Sequence, residues 1–230
     1  MIIDFEVMQI LQNAVIIVSG GSGSRMQSEV PKQYMDVNGK AILVWTVKKF
    51  LAFDPQIFIV LVLADGHQDF WNPIKNRFFR EREFIMARGG ESRFDSVKSG
   101  LEMIKDDCIV GIHDAVRPMV SIETIKRCYD SAREFGSAIP VIDVEDTIRS
   151  VGAQNSNQVN RENLKRVQTP QVFAAHQIKE AYRQSYTIEF TDDATVYERK
   201  FNSVKLVEGN PENIKITKPV DLKILSILLS

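Results

Sequence analysis

Three short apolar runs set the strongest limit on the fold: "AVIIV" at 14–18, "IFIVLVLA" at 57–64 and "CIVGI" at 108–112. Each is rich in β-branched residues and almost unbroken by polar ones, the pattern of a strand covered on both faces. "SAIPVI" at 137–142 is a weaker copy. Between these runs, residues 41–52, 91–104 and 121–135 carry apolar side chains at helical spacing. Buried strands that alternate with helices need right-handed crossovers, so a mostly parallel α/β sheet flanked by helices is expected. In such sheets ligands lie beyond the carboxyl ends of the strands.

The alternation falters at "DVEDTIRSVGAQNSNQVNRENLKRVQTPQVF", residues 143–173, which has no continuous apolar face and contains the polar turn "GAQNSNQ". Two short strands around a hairpin fit this stretch, projecting from the sheet as an arm over about 143–170. A projecting hairpin has little core of its own and needs something to pack on, such as a second subunit. Helical spacing resumes at 175–184 and 193–200, a strand is expected at 203–207, and "TKPVD" opens a final helix. There Thr217 is expected to cap, and Pro219 falls in the first turn, where its missing N–H costs nothing. With 230 residues, no repeat and no linker-like tract, residues 1–230 form one expected domain.

Charge removes several function classes. The 29 Lys+Arg nearly balance the 30 Asp+Glu, for a formal charge of −1. A dedicated nucleic-acid or acidic-membrane binder would carry a positive excess, so neither partner is expected. Cys108 and Cys128 are too few and too unpatterned for a disulfide framework or a zinc site, which points to a reducing cytoplasm. The apolar N-terminus lacks a basic leader region and contains Asp4 and Glu6, so it reads poorly as a secretory signal. No apolar run approaches the roughly 18 residues of a membrane span.

The first chemistry-bearing stretch is "VSGGSGSRM", 18–26, directly after an apolar run. Gly20, Gly21 and Gly23 leave backbone N–H groups open to an anion, and Ser19 and Ser22 add little bulk. The spacing matches neither GxxxxGK[ST] nor GxGxxG, which disfavours a nicotinamide oxidoreductase. Arg25 and Lys32 read either as a phosphate cradle, with a guanidinium fork and a point charge, or as two solvated surface cations. "GGESRFDSV", 89–97, is a second glycine turn running into a helix, with Arg93 either supporting a pocket or on the surface. "HDAVRP", 113–118, ends a buried strand. His113 reads as a packed, hydrogen-bonded histidine and Arg117 as a loop brace. Asp114 is either a ligand contact or a cap. Of Asp192 and Asp193, at least one is expected to cap a helix.

The run "AVIIVSGGSGSRMQSEVPKQYM", 14–35, resembles the N-terminal signature of nucleotidyltransferases that activate sugar and polyol phosphates. With "GGESRFDSV", "HDAVRP", "DTI" (146–148), "VNR" (159–161), "QTPQVF" (168–173), "FTDDA" (190–194) and "EGNPENIKIT" (208–217) in order, the chain is most similar to the 2-C-methyl-D-erythritol 4-phosphate cytidylyltransferase family of the non-mevalonate isoprenoid pathway. "GGSGSRM" and "HDAVRP" also look like the ribitol-5-phosphate cytidylyltransferases, whereas "RVQTPQVF" and "TDDATVYE" sit closer to the methylerythritol family.

The resemblance implies a Rossmann-like fold and a homodimer in which each arm embraces the other subunit. It also implies a reaction of CTP with a polyol phosphate, in which a phosphate oxygen attacks the α-phosphorus in line and pyrophosphate leaves. Arg25, Lys32 and Lys215 would be the catalytic cations. The backbone of Ser19, Gly20, Gly21, Ser22 and Gly23 would serve the nucleotide. Gly89, Gly90 and Glu91, through their backbone, and the Ser96 hydroxyl would read cytosine. Asp114, Thr147, Arg161 and Thr191 would contact the acceptor, with Thr147 and Arg161 reaching the partner's site. Mg²⁺ would ride mainly on the CTP phosphates, with Asp114 as the candidate protein ligand. The family usually has a proline and two alanines where this chain has Val18, Ser19 and Gly20, and often a basic residue in place of Ser24. A nucleotide-binding module without catalysis is the rival of another class. Arg25, Lys32 and Lys215 together speak against it.

Overall fold

The structure, a computed structural model, describes residues 12–20 and 30–230. In chain order these give β1 (Gln12–Ser19), β2 (Asp36–Val37), β3 (Lys40–Ala41), α1 (Ile42–Phe53), β4 (Phe58–Leu63), α2 (Gln68–Phe78), β5 (Ile85–Arg88), α3 (Arg93–Glu102), β6 (Cys108–Asp114) and α4 (Ile122–Phe135). There follow β7 (Ser137–Asp143), β8 (Ile148–Val151), β9 (Ser156–Val159), β10 (Lys165–Val167), β11 (Gln171–Ala174), α5 (Ala175–Ala181), α6 (Asp193–Phe201), β12 (Leu206–Glu208) and α7 (Pro219–Leu228).

The main sheet runs β10-β7-β11-β6-β1-β4-β5, with β12 joined to β7. β1 pairs in parallel with both β4 and β6, and β4 with β5. Successive β1 residues enter opposite layers: Val15 and Ile17 pack with Phe50 of α1 and Tyr129 of α4, while Ile16 packs with Val97 of α3 and Ile178 of α5. Both faces are covered, which is why the strand is apolar without alternation. β11 and β10 run antiparallel to their neighbours, making the sheet mixed but mostly parallel.

Strand order fixes where a ligand can sit. From β1 the chain moves outward to β4 and β5, then returns to place β6 on the other side of β1. The carboxyl ends of β1 and β6 therefore flank a topological switch point. Val18 lies opposite Asp114, Ser19 opposite Leu63, and Leu63 opposite Arg88, so the loops leaving four adjacent strands emerge along one edge.

Several expectations shift. The projecting hairpin is confined to β8 and β9, which form a two-stranded sheet of their own with Gly152 N–H bonded to Asn155 O at 2.8 Å. Residues 165–167 pair with β7, so the arm's return leg is already stitched to the main sheet before residue 170. The strand expected at 203–207 occupies 206–208. Thr217 does not cap α7. Asp221 does this from inside the first turn, accepting the N–H groups of Thr217 and Lys218 at 2.7 Å each and the Thr217 hydroxyl at 3.1 Å. Pro219 is the first helical residue, as expected.

Candidate functional site

A cleft of about 460 Å³ opens at the switch point, with Ser19, Gly20, Lys32, Gly90, Asp114 and Lys215 among its lining residues. Gly20 abuts the second glycine turn. A Cβ on Gly20 would lie 3.3 Å from Ser96 Oγ and 3.8 Å from Gly89 Cα. At Gly90 a Cβ would come within 2.3 Å of Asp95 Cβ, so only glycine allows this turn to close against α3. α3 itself starts at a capping box: Ser92 Oγ accepts the Asp95 N–H at 3.1 Å, and the Asp95 carboxylate accepts the Ser92 N–H at 3.2 Å. Ser96 Oγ accepts the Gly90 N–H at 3.0 Å and donates to Ser92 O at 2.9 Å. Its proton is thereby committed, and what it offers a ligand is acceptor capacity, suited to an amino group.

Asp114 ends β6 with only 10% of its side chain exposed. Its Oδ2 meets Lys215 Nζ at 3.0 Å and Arg117 Nε at 3.1 Å, and Arg93 Nε stands 3.8 Å from Oδ1. Burial opposes the charge on this carboxylate, but Lys215, Arg93 and Arg117 overcome it and hold its pKa well below the usual carboxylate range. Arg93 is oriented from behind by a bidentate pair with the fully buried Asp193, at 2.8 and 2.6 Å, and the Tyr182 hydroxyl donates to the same carboxylate at 2.6 Å. Asp192, not Asp193, caps α6, accepting the Thr195 N–H at 2.9 Å.

Lys215 is carried on a segment tied to the loop after β6. Ile216 N–H bonds Val116 O at 2.9 Å, and Arg117 Nη1 donates to Asn213 O at 2.8 Å. Arg117 thus braces the loop. His113 is fully buried, with its ring nitrogens 3.1 Å from Arg117 O and 3.0 Å from Thr169 Oγ1. Burial pushes its pKa down to about 4. A neutral imidazole held on both sides fits a packing role.

Among the expected site residues, Ser19, Gly20, Lys32, Gly90, Glu91, Ser96, Asp114 and Lys215 line this one cleft. Gly89 lines the adjoining depression with Asp65 and Arg88. Gly21, Ser22, Gly23 and Arg25 lie outside the described residues. Thr147 and Arg161 come together elsewhere, in a cleft of about 270 Å³ on the arm, where Arg161 Nη1 donates to Glu145 O. Thr191 is exposed next to the Asp192 cap and is not among the described residues lining the main cleft.

Sequence reasoning missed Gln33 and the partnership of Asp193 with Arg93. The segment around Lys32 reads as too polar for core, yet Gln33 and Tyr34 are buried. The one signal for Asp193 is the doubled acid in "FTDDA": a helix needs one cap, and the second acid then sits beside the apolar face of Ala194, Val196 and Tyr197.

Comparisons with known proteins converge on one family. The family described as 2-C-methyl-D-erythritol 4-phosphate cytidylyltransferase matches residues 13–230. The enzyme of that name from Bacteroides thetaiotaomicron is 47% identical over 219 residues, covering 95% of this chain and 100% of its own. That from Bacteroides fragilis is 49% identical over 214 residues, covering 93% and 98%. The crystal structure of the Francisella tularensis enzyme superposes with a TM-score of 0.76 at 30% identity, covering 94% of this chain and 99% of that one.

Proposed function

This chain belongs to the 2-C-methyl-D-erythritol 4-phosphate cytidylyltransferase family, and we propose that the cleft beyond β1 and β6 is where its reaction runs. The enzyme is a nucleotidyltransferase. It moves cytidylyl from CTP to 2-C-methyl-D-erythritol 4-phosphate, giving 4-diphosphocytidyl-2-C-methyl-D-erythritol and pyrophosphate. The observation that carries the siting is that Lys32 and Lys215, far apart in sequence, line one cleft at the switch point with Asp114.

A phosphate oxygen of the acceptor forms the new bond to the α-phosphorus, and the bond from that phosphorus to pyrophosphate breaks. The attacking phosphate is already ionised, so no general base is required. What the step needs is alignment and fixed positive charge where the negative charge builds up. Lys32 and Lys215 supply that charge, with Arg25 as the third cation. Ser19, Gly20, Gly21, Ser22 and Gly23 present backbone to the triphosphate. Gly89, Gly90 and Glu91 present theirs to the pyrimidine, and Ser96 Oγ accepts from the cytosine amino group. Asp114 receives the acceptor's hydroxyls. Its ion pair with Lys215 keeps the carboxylate charged and pre-aimed.

Magnesium fits this donor set. No group of three or more His, Cys, Asp or Glu among the described residues could cage a metal. Asp114 Oδ2 is taken by Lys215 and Arg117, whereas Oδ1 keeps acceptor capacity, since Arg93 at 3.8 Å is an ion-pair partner beyond hydrogen-bond range. Mg²⁺ would therefore sit mainly on phosphate oxygens, with Asp114 Oδ1 as the protein ligand. When bound it offsets phosphate charge and makes the α-phosphorus more electrophilic.

The working unit in this reading is a homodimer in the cytoplasm. The arm brings Thr147 and Arg161 to the partner's acceptor phosphate, and Thr191 contacts the acceptor from its own chain. None of residues 143–167 is buried within a single chain, which supports an arm that finds its packing elsewhere. Both cysteines are free and buried, and among the described residues no helix is long and apolar enough to cross a membrane. Pyrophosphate release with CTP, Mg²⁺ and either polyol phosphate tests the assignment. Turnover should favour methylerythritol 4-phosphate, and a preference for ribitol 5-phosphate would overturn it.

A further inference from the structure

We propose that Gln33 is a positioning residue for the nucleotide: its buried amide ties the Lys32 turn to the last carbonyl of β1 and holds the two halves of the phosphate site in register. This rests on the reading that CTP occupies the main cleft. Gln33 is 2% exposed and lines that cleft. Its Nε2 donates to Ser19 O at 2.9 Å and lies 3.4 Å from His67 Nδ1 at the head of α2.

The turn that carries it is stiff. Tyr34 N–H bonds Pro31 O at 2.9 Å, Met35 N–H bonds Lys32 O at 3.1 Å, and Ile42 N–H bonds Met35 O at 3.1 Å, which anchors the turn to α1. Tyr34 stacks on Phe70 with ring centroids 5.2 Å apart and meets His67 edge-on at 5.4 Å. Lys32 is therefore displayed from a rigid base, and the bond from Gln33 to Ser19 O sets that base against the end of β1. The residues between these two anchors include the glycine-rich stretch and Arg25. A reacting group displaced by about 1 Å can lose on the order of 10²-fold in rate, so a bond that holds no ligand itself can still govern turnover.

A donor is what the position requires, because its partner is a carbonyl. That distinguishes the clamp from simple filling of space. Gln33→Met keeps length and bulk but removes the donor. Gln33→Glu keeps shape and polarity; once ionised, above the pKa that burial raises, it turns a proton-free oxygen toward Ser19 O, so this variant is read at about pH 9. Calorimetric titration with CTP alone and steady-state kinetics with both substrates read the two variants, with melting temperatures measured alongside.

The expected order is wild type, then Met, then Glu. The Met variant should weaken CTP binding about tenfold and the Glu variant by roughly 10²-fold, as loss of a buried hydrogen bond and then introduction of a repulsion imply. The KM for the polyol phosphate should stay within about twofold. Wild-type CTP affinity in both variants would overturn the inference. So would a Glu variant better than Met at about pH 9, where the carboxylate has no proton to donate, or losses for both substrates that merely track the folded fraction. A wild-type protein that binds CTP but transfers nothing to the acceptor would sink the functional reading instead, leaving the clamp to be judged on the CTP titrations.

Discussion

At the cleft, Asp114 is gripped by Lys215 and Arg117, Arg93 is fixed from behind by Asp193, and the Gly89 and Lys32 turns are tied to the sheet through Leu63 O and Ser19 O. On the arm, β8 and β9 form a separate two-stranded sheet whose residues are nearly all exposed, with Val151 at 79%. The contrast separates two ways of positioning a charge. In the cleft, a cation pair lies beside a buried carboxylate, and one chain does the aiming. Arg161 on the arm bonds a backbone carbonyl beside Thr147, on an element with no buried residue to steady it. Such a hairpin gains a fixed geometry only by packing on another surface.

Lys215→Met should produce the largest loss, roughly 10²–10³ in kcat/KM by analogy with removal of one electrostatic donor. The fold should survive, since Asp114 keeps Arg117 and Arg93 as partners. An equal loss from an arm substitution would erase the contrast.

The next effect lies beneath the cleft, at His113. Its pKa is about 4 when folded and near 6.5 in the unfolded chain. Between those values the unfolded state binds the extra proton, so stability rises with pH there and is lost as pH falls from about 6.5 towards 4. The slope amounts to on the order of 3 kcal/mol in total. Urea midpoints across that window should show it, and His113→Asn should flatten it whatever its absolute stability.

Arg161→Ala sharpens the comparison from the other side. Losing a charged hydrogen-bond donor to a phosphate should raise the KM for the acceptor roughly 10- to 100-fold, with CTP affinity unchanged. Chains bearing Arg161→Ala mixed with chains bearing Lys215→Met should then recover roughly a quarter of wild-type activity, because half the dimers contain one intact composite site. No recovery would mean that the arm serves its own chain.

The smallest shift belongs to Val151→Ser. Unfolding of the isolated chain should change by less than about 0.5 kcal/mol, as for other solvated positions.

How much of this was legible in the sequence follows from where each element finds its partners. β1, β4 and β6 announce themselves because they are covered on both faces and need no polar alternation. β11 does not, since four buried residues after Pro170 are too few to show a period. α2 is masked by Pro73 within it and by having a single buried residue, Trp71. In the site, Lys32, Lys215 and the glycine turns are readable as local motifs. The Arg93–Asp193 pair is not, because its members stand 100 residues apart and nothing local marks a charge as buried. Gln33 is hidden for a similar reason: the burial of this amide in a turn is defined by a carbonyl at the end of β1.

A crystal structure with CTP and Mg²⁺ bound tests the central claim most directly. The account predicts the triphosphate in the cleft beyond β1 and β6, with Lys32 and Lys215 Nζ within about 4 Å of its oxygens, the usual reach of an ion pair. A nucleotide seated elsewhere, or one seated there with Lys215 still closed on Asp114 and contacting no phosphate, would contradict it.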